Sequence, residues 1–433
     1  MNLFDSLLSV PRADHLQIAK YIVIVMSLLF IPYISILFGT TLFSLGFSVR
    51  GKFEENSLFT KFSKDLVDKL FGNWATALVM GVFPVVTMLI SFSQMLYGTT
   101  ANVSQYFLVL LINVAVAVLI TFLYRKSFVN REKSFLVHVL LGLAALGGLK
   151  ATFFIFSSTL SLVLFPERWS LIQSVVPLTF DWIVVARFSH FMMAALAMTG
   201  AAILFFFFNW MGGKKDMTTE YSDYVRKFGG GIALGMSIVS TIFLLWYFIT
   251  LPVMAKSYGV FISGMIGVIV LLIVCYYAYA LLRDAQVKHG KSVFGFFMLF
   301  FLIVLINDNI ARENSLHYQN YALNILHLEK MQQIENDRAE RGGAEASIEL
   351  GQQIYNSKCV ACHQFEQRVV GPPYNSVLPK YEGDMEKLKQ FILNPVKVNA
   401  DYIAMPNQGL KPHEAESAAM FLMKEYEEKY KNQ

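Results

Sequence analysis

The sequence predicts an all-α protein: a polytopic membrane bundle of about eight transmembrane helices, then a helical stalk, then a small all-α domain. Three observations carry this. Before residue 310 there are eight apolar runs, each long enough to cross a bilayer, which takes ~20 residues of helix. From residue 311 the composition turns polar and charged while apolar residues still recur at helical spacing. The stretch 344–433 then alternates short amphipathic helices with loops, one of which carries Cys359-Val360-Ala361-Cys362-His363. The expected domains are 1–310, 311–343 and 344–433.

The chain of 433 residues is 55% hydrophobic and only 15% charged, which is not the composition of an ordinary soluble protein. Residues 1–16 form a short amphipathic lead with Leu3, Phe4, Leu7, Leu8 and Val10 apolar. The lead lacks the early positive charges and small-residue cleavage site of a signal peptide, so an interfacial segment along the membrane is expected. The expected spans are Ile18–Phe47, Trp74–Tyr97, Tyr106–Tyr124, Phe135–Phe165, Ile183–Trp210, Phe228–Met254, Tyr258–Leu282 and Val293–Ile310. The first, fourth and fifth exceed one crossing, so they must tilt or project.

Loop charge orients these spans. Arg50, Lys52, Lys61, Lys64 and Lys69 follow the first, and Arg125, Lys126, Arg131 and Lys133 follow the third. Lys214, Lys215, Arg226 and Lys227 follow the fifth, while Arg283, Lys288 and Lys291 follow the seventh. The alternate connections are nearly bare of lysine and arginine. The N-terminus and the C-terminal domain are therefore expected on the outer, periplasmic side of a bacterial inner membrane. The net charge of +5 resides in these membrane-flanking loops and gives no basis for a nucleic-acid role. Asn307 to Gly343 reads as a helix continuing from the eighth span and stopped by Gly342-Gly343.

The C-x-x-C-H spacing at Cys359, Cys362 and His363 reads as a covalent attachment site for haem c. Two thiols one helical turn apart can add to the two vinyl groups of one porphyrin, and the adjacent histidine then faces the iron. A structural zinc site would need a second Cys/His pair, and the remaining cysteine, Cys275, lies in an apolar run far upstream. Around the motif, Ala344–Lys358, Asp384–Leu393 and Pro412 to about Tyr430 read as helices, with Gly371-Pro372-Pro373 as a rigid turn. This arrangement resembles a class I cytochrome c. The resemblance implies His363 and Met405 as the axial iron ligands, a pair suited to electron transfer rather than ligand activation. Met385, Met420 and Met423 are the competing methionines, each within an expected helix.

Ionisable residues inside the bundle are costly and worth weighing singly. His190 and Met265 each lie about two turns in from the outer ends of the fifth and seventh spans. At about 1.5 Å per residue both are near 10 Å deep. They either hold a haem b between them or are a hydrogen-bonded structural histidine and a core methionine. Lys150 lies mid-way along the fourth span, as a proton-path member, a propionate partner, a contact to a second subunit, or a snorkelling side chain. His138, near the cytoplasmic end of the same span, reads as interfacial.

Short stretches of the first seven spans also resemble cytochrome bd oxidase subunit I. They are Leu16-Gln17, Leu29-Phe30-Ile31-Pro32, Lys69-Leu70-Phe71-Gly72, Arg187-Phe188-Ser189-His190, Thr199-Gly200 and Met265-Ile266-Gly267. The resemblance implies His190 and Met265 as ligands of a low-spin haem b, and Arg187, one turn outward, stands where a propionate would be met. Departures are equally visible. Val25, Met26 and Ser27 stand where that family has a histidine ligand, and Gln105 and Asn113 stand near its two glutamates. The sixth connection, about Ala255 to Ser257, has no room for a quinol-binding loop, and the family's Gly-Arg-Gln-Pro-Trp motif is absent. The chain is similar to a cytochrome c-fused branch lacking that loop.

The expected function is electron transfer between a periplasmic donor or acceptor and a haem b in the bundle, through haem c. A second membrane subunit and surrounding lipid are the expected partners. Independent catalysis is left open. One alternative is a terminal oxidase or gas reductase subunit with a rebuilt site. Another is a haem-free anchor tethering a cytochrome c to a larger redox complex.

Overall fold

A computed structural model describes residues 8, 10–101, 103–170, 181–340, 345–399 and 402–431. Most of the expected amphipathic lead and the Gly342-Gly343 stop lie outside the described residues. The chain is all-helical, 81% helix with no strand among the described residues. It divides into two compact units, residues 1–325 and 326–433.

Eight helices in the first unit are long and apolar enough to cross a membrane. They are α1 (Ala13–Phe53), α3 (Trp74–Met95), α4 (Val103–Ser127), α5 (Phe135–Val163), α6 (Trp182–Phe208), α7 (Thr219–Thr250), α8 (Tyr258–Asp284) and α9 (His289–Ser315). An additional helix, α2 (Ser57–Leu70), occupies what reads in the sequence as a charged loop. Asn56 caps it by accepting from the Leu58 amide at 2.9 Å. Phe62, Leu66, Val67 and Leu70 recur at helical spacing and are buried, with the Phe62 ring packed edge-on to Phe47, Tyr224 and Phe228. Helix α10 (His317–Glu340) follows the eighth span, where the sequence anticipates a stalk.

Helices α1 and α6 form the centre of the bundle. Each packs on the other, α1 also meeting α2, α3, α5 and α9, and α6 also meeting α5, α7 and α9. Their apolar stretches are 61% and 67% buried, against 28–44% for the other six spans. Small residues permit these close approaches. A β-carbon on Gly39 of α1 would lie 2.1 Å from Thr199 Oγ1 of α6. One on Gly200 would lie 2.5 Å from the Ala233 amide nitrogen of α7.

The second unit has its own core. Helix α11 (Ile348–Ile354) is capped by Ser347, whose hydroxyl accepts from the Leu350 amide at 3.1 Å. It crosses α14 (Pro412–Tyr426) at Gly351, where a β-carbon would lie 2.0 Å from the Ser417 carbonyl oxygen. Between them in sequence are α12 (Tyr374–Val377) and α13 (Met385–Leu393), the latter capped by Asp384. Ile354, Leu378, Leu388, Ile392, Ala418 and Leu422 close the core.

Candidate functional site

In the C-terminal domain a π-helical turn over Tyr355–Cys359 ends α11 and delivers Cys359 to the core edge. The segment after it folds on itself. Amides of Cys362 and His363 donate to the Cys359 carbonyl at 3.1 and 2.9 Å, and amides of Val370 and Gly371 donate back to the Cys362 carbonyl at 3.2 and 2.9 Å. Cys359 is buried and Cys362 half-buried, and neither is in a disulfide. Burial pushes the Cys359 thiol pKa up, partly opposed by a hydrogen bond with Tyr374.

The His363 ring is held in one orientation. Its Nδ1 donates to the Pro372 carbonyl at 2.9 Å, which puts the proton on Nδ1 and leaves the Nε2 lone pair free. The ring stacks on Tyr374 with centroids 5.2 Å apart. A β-carbon on Gly371 would lie 2.1 Å from His363 Cε1, so glycine alone admits the ring there. A free Nε2 beside two thiols is the set that covalent haem attachment requires, the thiols for the vinyl groups and the nitrogen for the iron.

Met405 lies half-buried in a loop without regular structure. That loop is tied to the attachment segment: Lys358, next to Cys359, donates from Nζ to the Gln408 carbonyl at 3.2 Å. Asn407 anchors its other side to the Leu393 carbonyl at 2.9 Å. The competing methionines occupy other places. Met423, on α14, is buried in the core, and together with Met385 and Met420 it lines a cleft that also holds Ile348 and Tyr381.

Residues 348–429 match the cytochrome c family. A cytochrome c-551 from Pseudomonas denitrificans is 32% identical over 77 residues, 17% of this chain and 94% of that protein. Through its C-terminal domain, this chain belongs to the cytochrome c family. The family carries haem c and transfers electrons through it, so the domain is an electron-transfer module. The similarity contains nearly a whole small cytochrome and stops short of the bundle. No solved structure matches the chain significantly.

Within the bundle the structure separates the residues that the sequence paired. His190 of α6 is buried, 2% exposed, with Nδ1 3.2 Å from the Ser240 carbonyl and 3.1 Å from Ser240 Oγ on α7. Its Nε2 is buried with no hydrogen-bond partner. Met265, by contrast, is 66% exposed. It shares the outer face of α8 with Phe261, Ile262, Ile269 and Leu272, while Gly264, Gly267, Leu271 and Val274 turn inward. The expectation that Met265 faces His190 across the interior is therefore corrected: its side chain is on the wrong side of its helix.

Arg187 is buried one turn outward of His190, and its surroundings were not legible as a site. It pairs with Asp308 of α9 at 2.6 Å and contacts the Tyr247 hydroxyl of α7. Arg312 lies 3.6 Å from the same carboxylate and donates to Asn309 Oδ1 at 2.7 Å. Two buried guanidiniums thus share one carboxylate. Arg187 Nη1 and Arg312 Nε have no hydrogen-bond partner. A free imidazole nitrogen inward of a cluster with one surplus positive charge and two idle donors fits an iron ligand below an anion-binding rim.

Three other sequence candidates fall elsewhere. His138 is fully buried, with Nε2 2.9 Å from Ser48 Oγ and Nδ1 2.6 Å from Ser127 Oγ, so both nitrogens are satisfied within the protein. Asn113, near a position where the resemblance would place a glutamate, donates to the Gly148 carbonyl at 3.0 Å and Thr152 Oγ1 at 2.8 Å. Lys150 is exposed on the outside of the bundle.

Proposed function

We propose that this chain is a membrane-bound b/c-type cytochrome that relays electrons between a periplasmic redox partner and a haem b in its bundle. The supporting observation is the buried, unpartnered Nε2 of His190 beneath the Arg187–Asp308–Arg312 cluster. In this reading Cys359 and Cys362 bind haem c covalently, and His363 and Met405 are its axial ligands. His190 ligates the haem b iron, and Arg187 and Arg312 direct their idle N–H groups at its propionates. Met265 lies on the exterior face of α8, and this reading leaves the second ligand of haem b unassigned. The haem groups supply the reversible one-electron change; the protein supplies ligands, a dry setting and propionate neutralisation.

Loop charge supports a periplasmic C-terminal domain; membership of a respiratory complex with a second membrane subunit is part of the same proposal. Kinship of the bundle with cytochrome bd subunit I is supported by its short motifs, of which Thr199-Gly200 lies where α6 closely approaches α1 and α7.

The deciding experiment is pyridine haemochromogen analysis of the purified protein beside a His190→Ala variant. One haem c and one haem b are expected in the parent, with the b signal lost and the c signal kept in the variant. A parent containing covalent haem alone would leave the bundle as an anchor. A third, high-spin or d-type haem would move the reading to an oxidase.

A further inference from the structure

Lys150 is the one lysine or arginine at the middle of a described span, and it faces outward. It lies roughly 20 Å from either end of α5 at about 1.5 Å per residue, beyond the reach of a snorkelling lysine. It forms no ion pair or hydrogen bond among the described residues. A lysine left against hydrocarbon at this depth is disfavoured by several kcal/mol, so it needs an anion supplied from outside the chain.

The surface around it is shaped for a helix. Leu140, Leu143, Gly147 and Lys150 follow one another at spacings of three and four and are all exposed. A β-carbon on Gly147 would meet nothing within 4 Å, so the outer face is open there. On the adjoining helix, Asn113 bonds α5 at Gly148 and Thr152, which puts a second polar side chain at the level of Lys150. Ile112 and Val116 flank it and are exposed.

The chain cannot supply the missing charge by self-association. Aspartate and glutamate in the eight spans occur only near their ends: Asp14, Glu220, Asp223, Asp284, Asp308 and Glu313. Asp308, the deepest at the outer end, is already held by Arg187. A second copy would therefore bring Lys150 against apolar residues or against another Lys150.

We infer that the outer face of α5 with the adjoining part of α4 docks a transmembrane helix of a different subunit, one carrying an aspartate or glutamate near its middle that pairs with Lys150. The inference names the site and chemistry of the second-subunit contact in the proposed function. It rests on α5 being a span and is independent of any haem at His190.

A lipid-soluble carbodiimide tests this in native membranes. The reagent activates a buried carboxyl, which then condenses with a touching amine: an amide forms, and the carbodiimide leaves as its urea. Mass spectrometry should find a peptide containing Lys150 joined to an aspartate or glutamate within an apolar helix of another polypeptide. That polypeptide should co-purify with the parent and with Lys150→Arg, and be lost from Lys150→Glu and Lys150→Leu. Unchanged melting temperatures in detergent, followed by tryptophan fluorescence, and unchanged haem c spectra of all four report that the bundle is folded and that any failure lies in docking. No amide, an amide to a second copy of this chain, or equal recovery of the cross-linked subunit with Lys150→Leu would overturn the inference.

Discussion

Gly371 lies so close to His363 that a β-carbon on it would sit 2.1 Å from the ring. The ring cannot yield readily, because Pro372 holds its Nδ1 and Tyr374 stacks on its face. Gly371→Ala should therefore leave both thioether bonds intact while displacing the imidazole from the iron. A haem-stained gel should show the covalent band, and the optical spectrum should lose its low-spin character. A parent-like spectrum would show that the ring is not the ligand.

Met405→Ala tests the other side of the same iron. Covalent haem should persist, the sixth position should open, and the potential should fall by about tens to hundreds of millivolts, since a thioether ligand raises it. Redox titration of the full chain reads this directly. An unchanged potential would transfer the ligand role to Met420 or Met423.

Asp308 answers two buried guanidiniums. Asp308→Asn should leave Arg187 and Arg312 facing each other without a counter-charge, a loss of about 3–5 kcal/mol for a buried pair broken on one side. Thermal unfolding in detergent, followed by tryptophan fluorescence, should shift markedly downward. Glu54→Gln, which breaks the exposed pair with Arg50, should shift it little. Equal shifts would mean that the Arg187 cluster is solvated.

Orientation is open to direct labelling. A cysteine at Lys215, in the lysine-rich connection between α6 and α7, should resist a membrane-impermeant maleimide in intact cells. A cysteine at Glu329, on α10, should react. The reverse pattern would place the cytochrome domain on the cytoplasmic face.

The spans were legible because a bilayer demands long apolar runs, and no other pressure produces eight of them. Their ends were less so: α7 starts at Thr219, ahead of the apolar run, because Thr218 caps it, Glu220 and Lys227 lie on its exposed face and Tyr221 and Val225 are buried. Helix α2 escaped notice because its lysines fill the solvent face, although Phe62, Leu66 and Leu70 keep the helical period. Met265 reads as inward-facing in the sequence for a physical reason. When one side of a helix meets lipid and the other meets protein, both are apolar, and large residues mark neither. The inward glycines, Gly264 and Gly267, were the usable signal. The partnership of Arg187 with Asp308 joins residues far apart in sequence, and only the fold brings them together. In the cytochrome domain the short C-x-x-C-H spacing fixed the chemistry, but not the role of Pro372 in orienting His363.

The central place of α1 has a consequence for biogenesis. It is the earliest of the eight spans to leave the ribosome, yet one of its faces is completed by α9, the last of them. Until residues 289–315 are made, α1 must persist in the membrane with that face against lipid or a chaperone, and Arg187 must wait for Asp308. Insertion can proceed helix by helix, but closure of the bundle is a late, long-range event. Chains stalled before α9 should accordingly be the ones that quality-control proteases remove.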